Sequence, residues 1–231
     1  MWICTSCSSF DEWKGNFYPE KLAAKDRLRF YSDRLETVEI NNTFYRMPTE
    51  KLLEGWMDEV PESFRFAIKS PQRITHMRRL NDCAESVTRL VGVITQLGPR
   101  LGPLLYQLPP NFKKDLPRLN AFLDGVPSPG RVAFEFRHGS WFDDEVFDAL
   151  RRHRVALCVS DTGEEPVAPL VATADWGYLR LRREDFDDDV LREWAQRIRA
   201  QPWSEAFVFL KHEEEGKGPK FAARLVEFCK S

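Results

Sequence analysis

The sequence predicts an α/β protein of the TIM type: a (β/α)₈ barrel, irregular in places, of parallel strands alternating with helices. Three observations predict it. About eight short apolar runs, rich in β-branched and aromatic residues, alternate with amphipathic segments along 231 residues. No linker divides the chain, so residues 1–231 read as one domain. Finally, the ionisable residues of the apolar runs collect near the C-terminal ends of those runs, where barrels build their sites. An open doubly wound sheet is the rival architecture. No G-x-G-x-x-G follows the first run, so a dinucleotide-binding version of that rival has no support.

Taken in order, the strands are expected at residues 2–5, 37–40, 64–69, 104–107, 131–136, 155–160, 178–181 and 206–210. Between them, Leu22, Leu28 and Tyr31 recur at helical spacing, and residues 83–97 carry Val87, Leu90, Val91 and Ile94 on one face. Residues 143–152 open with acids and close with Arg151 and Arg152, matching the helix dipole. The acids Asp187, Asp188 and Asp189 open a further helix through Trp194 and Ile198, and Phe221, Leu225 and Phe228 mark the last one.

The bulk numbers narrow the function classes. Hydrophobic residues make up 42% and charged residues 30%, an ordinary globular balance. A net charge of -2 argues against a chain coated for non-specific nucleic-acid or membrane binding. No apolar run approaches the roughly 20 residues of a membrane span. The start turns polar by Cys4 and Thr5, which is unlike a secretory signal. Five cysteines at scattered positions make no disulfide framework, so a reducing cytoplasm is the expected compartment.

Strand period then sorts the polar residues. Glu39 and Asn41 share a face opposite Val38 and Ile40. Lys69 lies with Ala67, opposite Phe66 and Ile68. Glu135 and Arg137 lie with Ala133, opposite Phe134 and Phe136, and Arg180 and Arg182 lie opposite Leu179 and Leu181. Gln107 ends the fourth strand, Asp161 follows the sixth, and Lys211, His212 and Glu213 end the eighth. Charged groups are rarely buried unless paired, so the pattern implies a mixed-charge pocket inside the mouth of the barrel. The plainer alternative is that pairs such as Glu135 with Arg137, or Glu39 with Lys69, only fill that mouth.

Four stretches carry a resemblance: TVEINNTFYRMP at 37–48, FRFAIKSPQRITH at 64–76, LGPLLYQLPPNF at 101–112 and VAFEFRHGSWF at 132–142. With WKGNFYP at 13–19 they closely resemble the YecE-like family of bacteria and archaea, across almost the whole chain. The resemblance implies a TIM-type barrel without an established activity; likeness of that barrel to divalent-metal nucleases and sugar isomerases is fold-level analogy. The motif positions it carries over are Glu39, Asn41, Thr43, Phe44, Tyr45, Lys69, Gln107, Pro109, Glu135, Arg137 and Trp141. Two departures stand out. The family's first motif resembles G-T-S-G-W-S-Y, whereas residues 4–10 here read CTSCSSF. Near the C-terminus, Lys211, His212 and Glu213 replace an Asn-rich strand end.

Several chemistries suit such a mouth. Glu39, Glu135, His138, Asp161, His212 and Glu213 offer ligands for a divalent metal, but no H-x-H or H-E-x-x-H is present and the nearby cations oppose one. Cys4 and Cys7 form a C-x-x-C without a second pair. Anion binding accounts for more residues: Lys69, Arg73, His76, Arg78 and Arg79 after the third strand, Arg180, Arg182 and Arg183 at the seventh, and Gly216, Lys217, Gly218 and Pro219 at the start of the last helix. Phe44, Tyr45, Trp141 and Trp176 could stack on a sugar or base, or anchor loops.

The expected function is therefore binding, and transforming, an anionic phosphate-containing ligand: a nucleotide, a sugar phosphate or a nucleic-acid segment. Glu39, Glu135 and His138 are the candidate proton-transfer groups. Asn41, Tyr45, Lys69, Arg73, Gln107, Arg137, Trp141, Asp161, Arg180, Lys211 and His212 are the candidate binding residues. The alternatives are a non-catalytic ligand- or partner-binding barrel and a divalent-metal nuclease-like or isomerase-like enzyme. The sequence names no cofactor, no membrane partner and no oligomeric state.

Overall fold

The structure, a computed structural model, describes residues 1–6, 11–164, 168–211 and 216–230. Eight parallel strands run β1 Trp2–Thr5, β2 Thr37–Ile40, β3 Arg65–Lys69, β4 Leu101–Gln107, β5 Val132–Glu135, β6 Ala156–Asp161, β7 Trp176–Leu181 and β8 Glu205–Leu210. Their hydrogen-bonded order is β1-β8-β7-β6-β5-β4-β3-β2. A parallel bridge between Ser6 and Glu39 brings the two ends together, giving a nearly closed barrel in place of the open rival sheet.

The α-helices are α1 Arg27–Ser32, α2 Glu50–Met57, α3 Ala84–Ile94, α4 Leu116–Gly125, α5 Asp144–Arg152, α6 Asp188–Arg199 and α7 Lys217–Lys230. Local chemistry sets their starts. The side chains of Asp143 and Asp187 accept from the backbone N–H groups of Glu145 and Val190, capping α5 and α6. Residues 22–31 form a shorter helix than the sequence suggests, with a 3₁₀ turn at Ala24–Asp26 before α1. Helices α2 and α4 add to the sequence reading, and both carry cap signals, from Thr49 and Asp115. Among the described residues the β6–β7 connection holds no helix. There Thr173 takes a hydrogen bond from Leu157 N and gives one to Val155 O, both 2.7 Å, which covers the start of β6. None of the described helices is long and apolar enough to cross a membrane.

Strand alternation divides the apolar residues into layers. Val38, Phe66, Ile68, Leu104, Tyr106 and Phe134 face the helices, as do Leu179, Leu181, Val208 and Leu210. The barrel interior is lopsided: alanines on β3, β5 and β6 (Ala67, Ala133, Ala156) face aromatics on β7 and β8 (Trp176, Tyr178, Phe207, Phe209). Large rings from one side fill the space the alanines leave. Trp176, a stacking candidate in the sequence, begins β7 and is buried. It therefore lies at the opposite end of the strand from Arg180, because β7 starts two residues earlier than its sequence pattern suggests.

The β1–β2 seam is held differently from the other strand neighbours. The Tyr31 hydroxyl accepts from Thr5 N at 3.2 Å and donates to Thr37 O at 3.2 Å, and it lies 2.7 Å from Thr5 Oγ1. One side chain from α1 thus ties the two strands together.

Candidate functional site

Arg180 reaches from β7 across the barrel. Its Nη1 donates to Glu135 Oε2 of β5 at 2.6 Å. Its Nε and Nη2 donate to Glu39 Oε1 of β2 at 3.2 and 2.8 Å, and Nη2 also approaches Asn41 Oδ1 at 3.3 Å. Only 2% of Arg180 is exposed, and both glutamates are fully buried.

The remaining capacity of both carboxylates is also used. Glu39 accepts from Tyr178 Oη at 2.6 Å and from Asn41 Nδ2 at 3.1 Å. Glu135 accepts from Gln107 Nε2 at 2.9 Å and from Arg182 Nη2 at 3.1 Å, and Arg182 also donates to Ser160 Oγ at 3.0 Å. Burial by itself would push the Glu135 carboxyl up, yet the Arg180 and Arg182 guanidiniums outweigh it and bring the pKa to about 2. Glu39 follows the same logic, held below the usual range by Arg180 and Tyr178 against burial. Both carboxylates are anions at neutral pH, and as proton-transfer groups they would have to give up these partners.

The two pairs of the plainer alternative, Glu135 with Arg137 and Glu39 with Lys69, do not form among the described residues. Glu135 pairs with Arg180 and Arg182, not Arg137, and Glu39 pairs with Arg180, not Lys69. The cause is geometric: Arg137 lies past the end of β5 and is exposed, whereas Arg180 points inward from the facing wall.

Lys69, at the end of β3, is left without an acidic partner among the described residues. Its ammonium sits over the Phe44 ring, 4.2 Å from the centroid. Burial, then the positive charge of Arg180, lowers its pKa to about 8, while Glu135 and Glu39 only partly offset them. Phe44 also meets His76 edge-on at 4.8 Å and Tyr45 at 5.1 Å. Burial and the charges of Lys69 and Arg137 bring the His76 pKa down to about 4, so its imidazole is neutral. A π-helical turn at Arg73–Met77 carries His76 to this place. Arg79, Leu80 and Asp82 follow in left-handed conformations that non-glycine residues seldom adopt.

The other candidates lie as follows. Arg73 is exposed on the same turn. Asp161 is buried and engaged by Arg183 at 2.7 Å, Trp194 Nε1 at 3.2 Å and Gly163 N at 3.0 Å. The His138 ring accepts from Ser140 N at 3.1 Å, capping the turn Gly139–Trp141. Trp141 is fully buried, stacks on Phe136 at 4.8 Å and donates to Phe112 O at 2.6 Å, which makes it a loop anchor. Tyr45 is 75% exposed. Lys211 is exposed, and its N–H donates to Leu181 O. Gly216 and Pro219 line a recess of about 250 Å³ with Asn16, Phe17, Arg34 and Lys220. Cys4 is an interior residue whose thiol burial pushes up to about 12, so it stays protonated. Cys7, His212 and Glu213 lie outside the described residues. Among the described residues no three His, Cys, Asp or Glu side chains converge as a metal-binding group.

Sequence reasoning missed two members of the buried network. Tyr178 and Ser160 both lie on inward-facing positions, Tyr178 two residues before Arg180 and Ser160 opposite it in register. The same strand period that exposed Arg180 could have found them.

The model of a family described as a protein of unknown function, DUF72, matches residues 2–231. The UPF0759 protein YecE of Escherichia coli (strain K12) is 34% identical over 116 residues, covering 50% of this chain and 43% of that protein. The UPF0759 protein YunF of Bacillus subtilis is 28% identical over 141 residues, covering 58% and 50%. These matches therefore span about half the length of either curated relative. Among solved structures, a DUF72 family protein of Thermotoga maritima superposes with a TM-score of 0.86 at 25% identity, covering 100% of this chain and 99% of that one. A DUF72 family protein of Enterococcus faecalis gives 0.72 at 17%, covering 88% and 93%, a likeness of fold.

Proposed function

The chain belongs to the DUF72 family, whose description assigns no reaction, and from the charge balance at its strand ends we propose that it binds an anionic, phosphate-containing ligand there. One observation carries this reading. Glu39, Glu135, Arg180 and Arg182 form ion pairs that cancel one another, while Lys69 and Arg137 have no acidic partner among the described residues. Among the described residues this cluster keeps a positive surplus, and Lys69 holds its part of it half-buried, where an anion is attracted more strongly than in open water. In this reading Lys69 and Arg137 meet the phosphate, His76 donates or accepts as a neutral ring, and the partly exposed Arg182 borders the site. Phe44 and Tyr45 offer flat faces to a sugar or base.

The engaged state of both glutamates favours one further reading, a barrel that holds its ligand without turning it over. Thermal shift at fixed ionic strength separates the cases, using orthophosphate, sugar phosphates, nucleotides and a short oligonucleotide. Binding predicts a concentration-dependent rise in Tm that Arg137→Ala weakens and Lys69→Met abolishes. If none of these anions raises Tm above a matched chloride control, the reading fails. A ligand that raises Tm and is recovered unchanged supports the non-catalytic version.

A further inference from the structure

We propose that the Lys69 ε-amine is a nucleophile that condenses with the carbonyl group of an anionic aldehyde or ketone, forming an imine at the end of β3. The inference rests on the anion-binding reading for one half of that substrate and adds a covalent step to it.

The geometry points to this role. A lysine in an ion pair is held as an ammonium ion and has no lone pair to offer. Glu39 and Glu135, the acids whose charge reaches Lys69, are both committed to guanidiniums from β7. Among the described residues, the Phe44 ring lies beside Lys69 Nζ at 4.2 Å and no carboxylate pairs with it. The charged groups acting on it are Arg180 and Arg182 from β7, Glu135 from β5 and Glu39 from β2. Burial and the two arginines bring its pKa to about 8, so about a tenth of the amine is neutral at pH 7. Lysines that form imines are activated in this way, by desolvation and a neighbouring cation. The neutral imidazole of His76 feels the charges of both Lys69 and Arg137. Both it and Lys69 contact the Phe44 ring, so a neutral proton acceptor stands in the same cluster as the amine.

The step balances without an oxidant or reductant. The amine lone pair adds to the carbonyl carbon while the C=O π pair moves to oxygen. A proton passes from nitrogen to that oxygen, the carbinolamine loses water, and a C=N bond remains.

Borohydride trapping tests it on the intact chain. The protein is incubated with pyridoxal phosphate across pH 6–10, reduced, digested and mapped by mass spectrometry. The expected result is a reduced adduct on Lys69 at least tenfold above the exposed Lys21 and Lys51, with a pH midpoint near 8. An adduct on Lys69 no stronger than on those two lysines overturns the inference. Lys69→Arg should keep the fold and lose the preferred adduct; the wild-type map decides even if that variant does not fold. Unphosphorylated pyridoxal separates the two proposals. Equal preference for Lys69 with both aldehydes keeps the imine and removes the phosphate reading. A phosphate-dependent Tm shift without preferred labelling does the reverse.

Discussion

Arg180 is a guanidinium in a place where an isolated charge would cost on the order of 20 kcal/mol by idealised transfer. It is tolerated because two carboxylates face it and further donors complete those carboxylates. Removing one member should therefore cost more than a surface pair would. Glu135→Gln leaves Arg180 and Arg182 facing a neutral amide, and we expect a loss of about 3–5 kcal/mol in urea denaturation. The pH response follows from the same residue. Its folded pKa, about 2, lies below the unfolded value of about 4.3, so the stabilisation is complete above the unfolded value. It is lost as pH falls from there through about 2. Denaturation midpoints at pH 6, 4 and 3 should show this decline in the wild type and less of it in Glu135→Gln. Strand period made the inward placement of Glu39, Glu135 and Arg180 legible in the sequence. It could not supply their partners, because the contacts run between facing walls of a closed barrel and not along one strand.

At the level of elements, β4 shows why some boundaries are hidden. It begins at Leu101, three residues before its apolar pattern suggests, and includes Gly102 and Pro103. The β3–β4 register shifts between Phe66 and Ile68. A Cβ at position 102 would stand 3.0 Å from Phe66 O, and Pro103 has no N–H for the ladder, so the two residues mark an irregularity that reads locally as a turn. The π-helical turn after β3 is hidden for a related reason: nothing in short-range periodicity distinguishes it from a loop. Two glycines give opposite expectations. A Cβ on Gly177 in β7 would lie 2.4 Å from the Trp203 ring, so Gly177→Ala should destabilise by about 1–3 kcal/mol. Gly55 in α2 has open space around its added Cβ, and Gly55→Ala should stabilise by roughly 0.5–1 kcal/mol. Paired thermal melts would check both signs.

Across the whole molecule, the number and spacing of apolar runs made the barrel legible, because eight parallel strands with short connections have few ways to cover both faces. The β6–β7 connection, without a helix among the described residues, and the β1–β2 closure by a single bridge were not legible. Both depend on contacts far apart in sequence. The β1–β2 join relies on Tyr31 and on the Ser6–Glu39 bridge among the described residues. Tyr31→Phe keeps the ring in place but removes the hydroxyl that bridges Thr5 N–H and Thr37 C=O; a cost of about 1–3 kcal/mol follows. Hydrogen exchange should quicken at the amides of β1 and β2 and stay unchanged in β5 and β6. A uniform change across all eight strands would contradict this account of closure.

The cancelling charges at positions 39, 135, 180 and 182 also constrain descent. A lineage that changes one of them alone passes through a poorly folded intermediate, so single exchanges are selected against even where the ligand is indifferent to them. The four sites are expected to be inherited as a block or replaced together by uncharged residues. Positions 69 and 137, which join no ion pair among the described residues, are free to change independently of that block wherever the ligand changes. Correlated variation among relatives would thus separate the scaffold's charges from those that answer to the ligand.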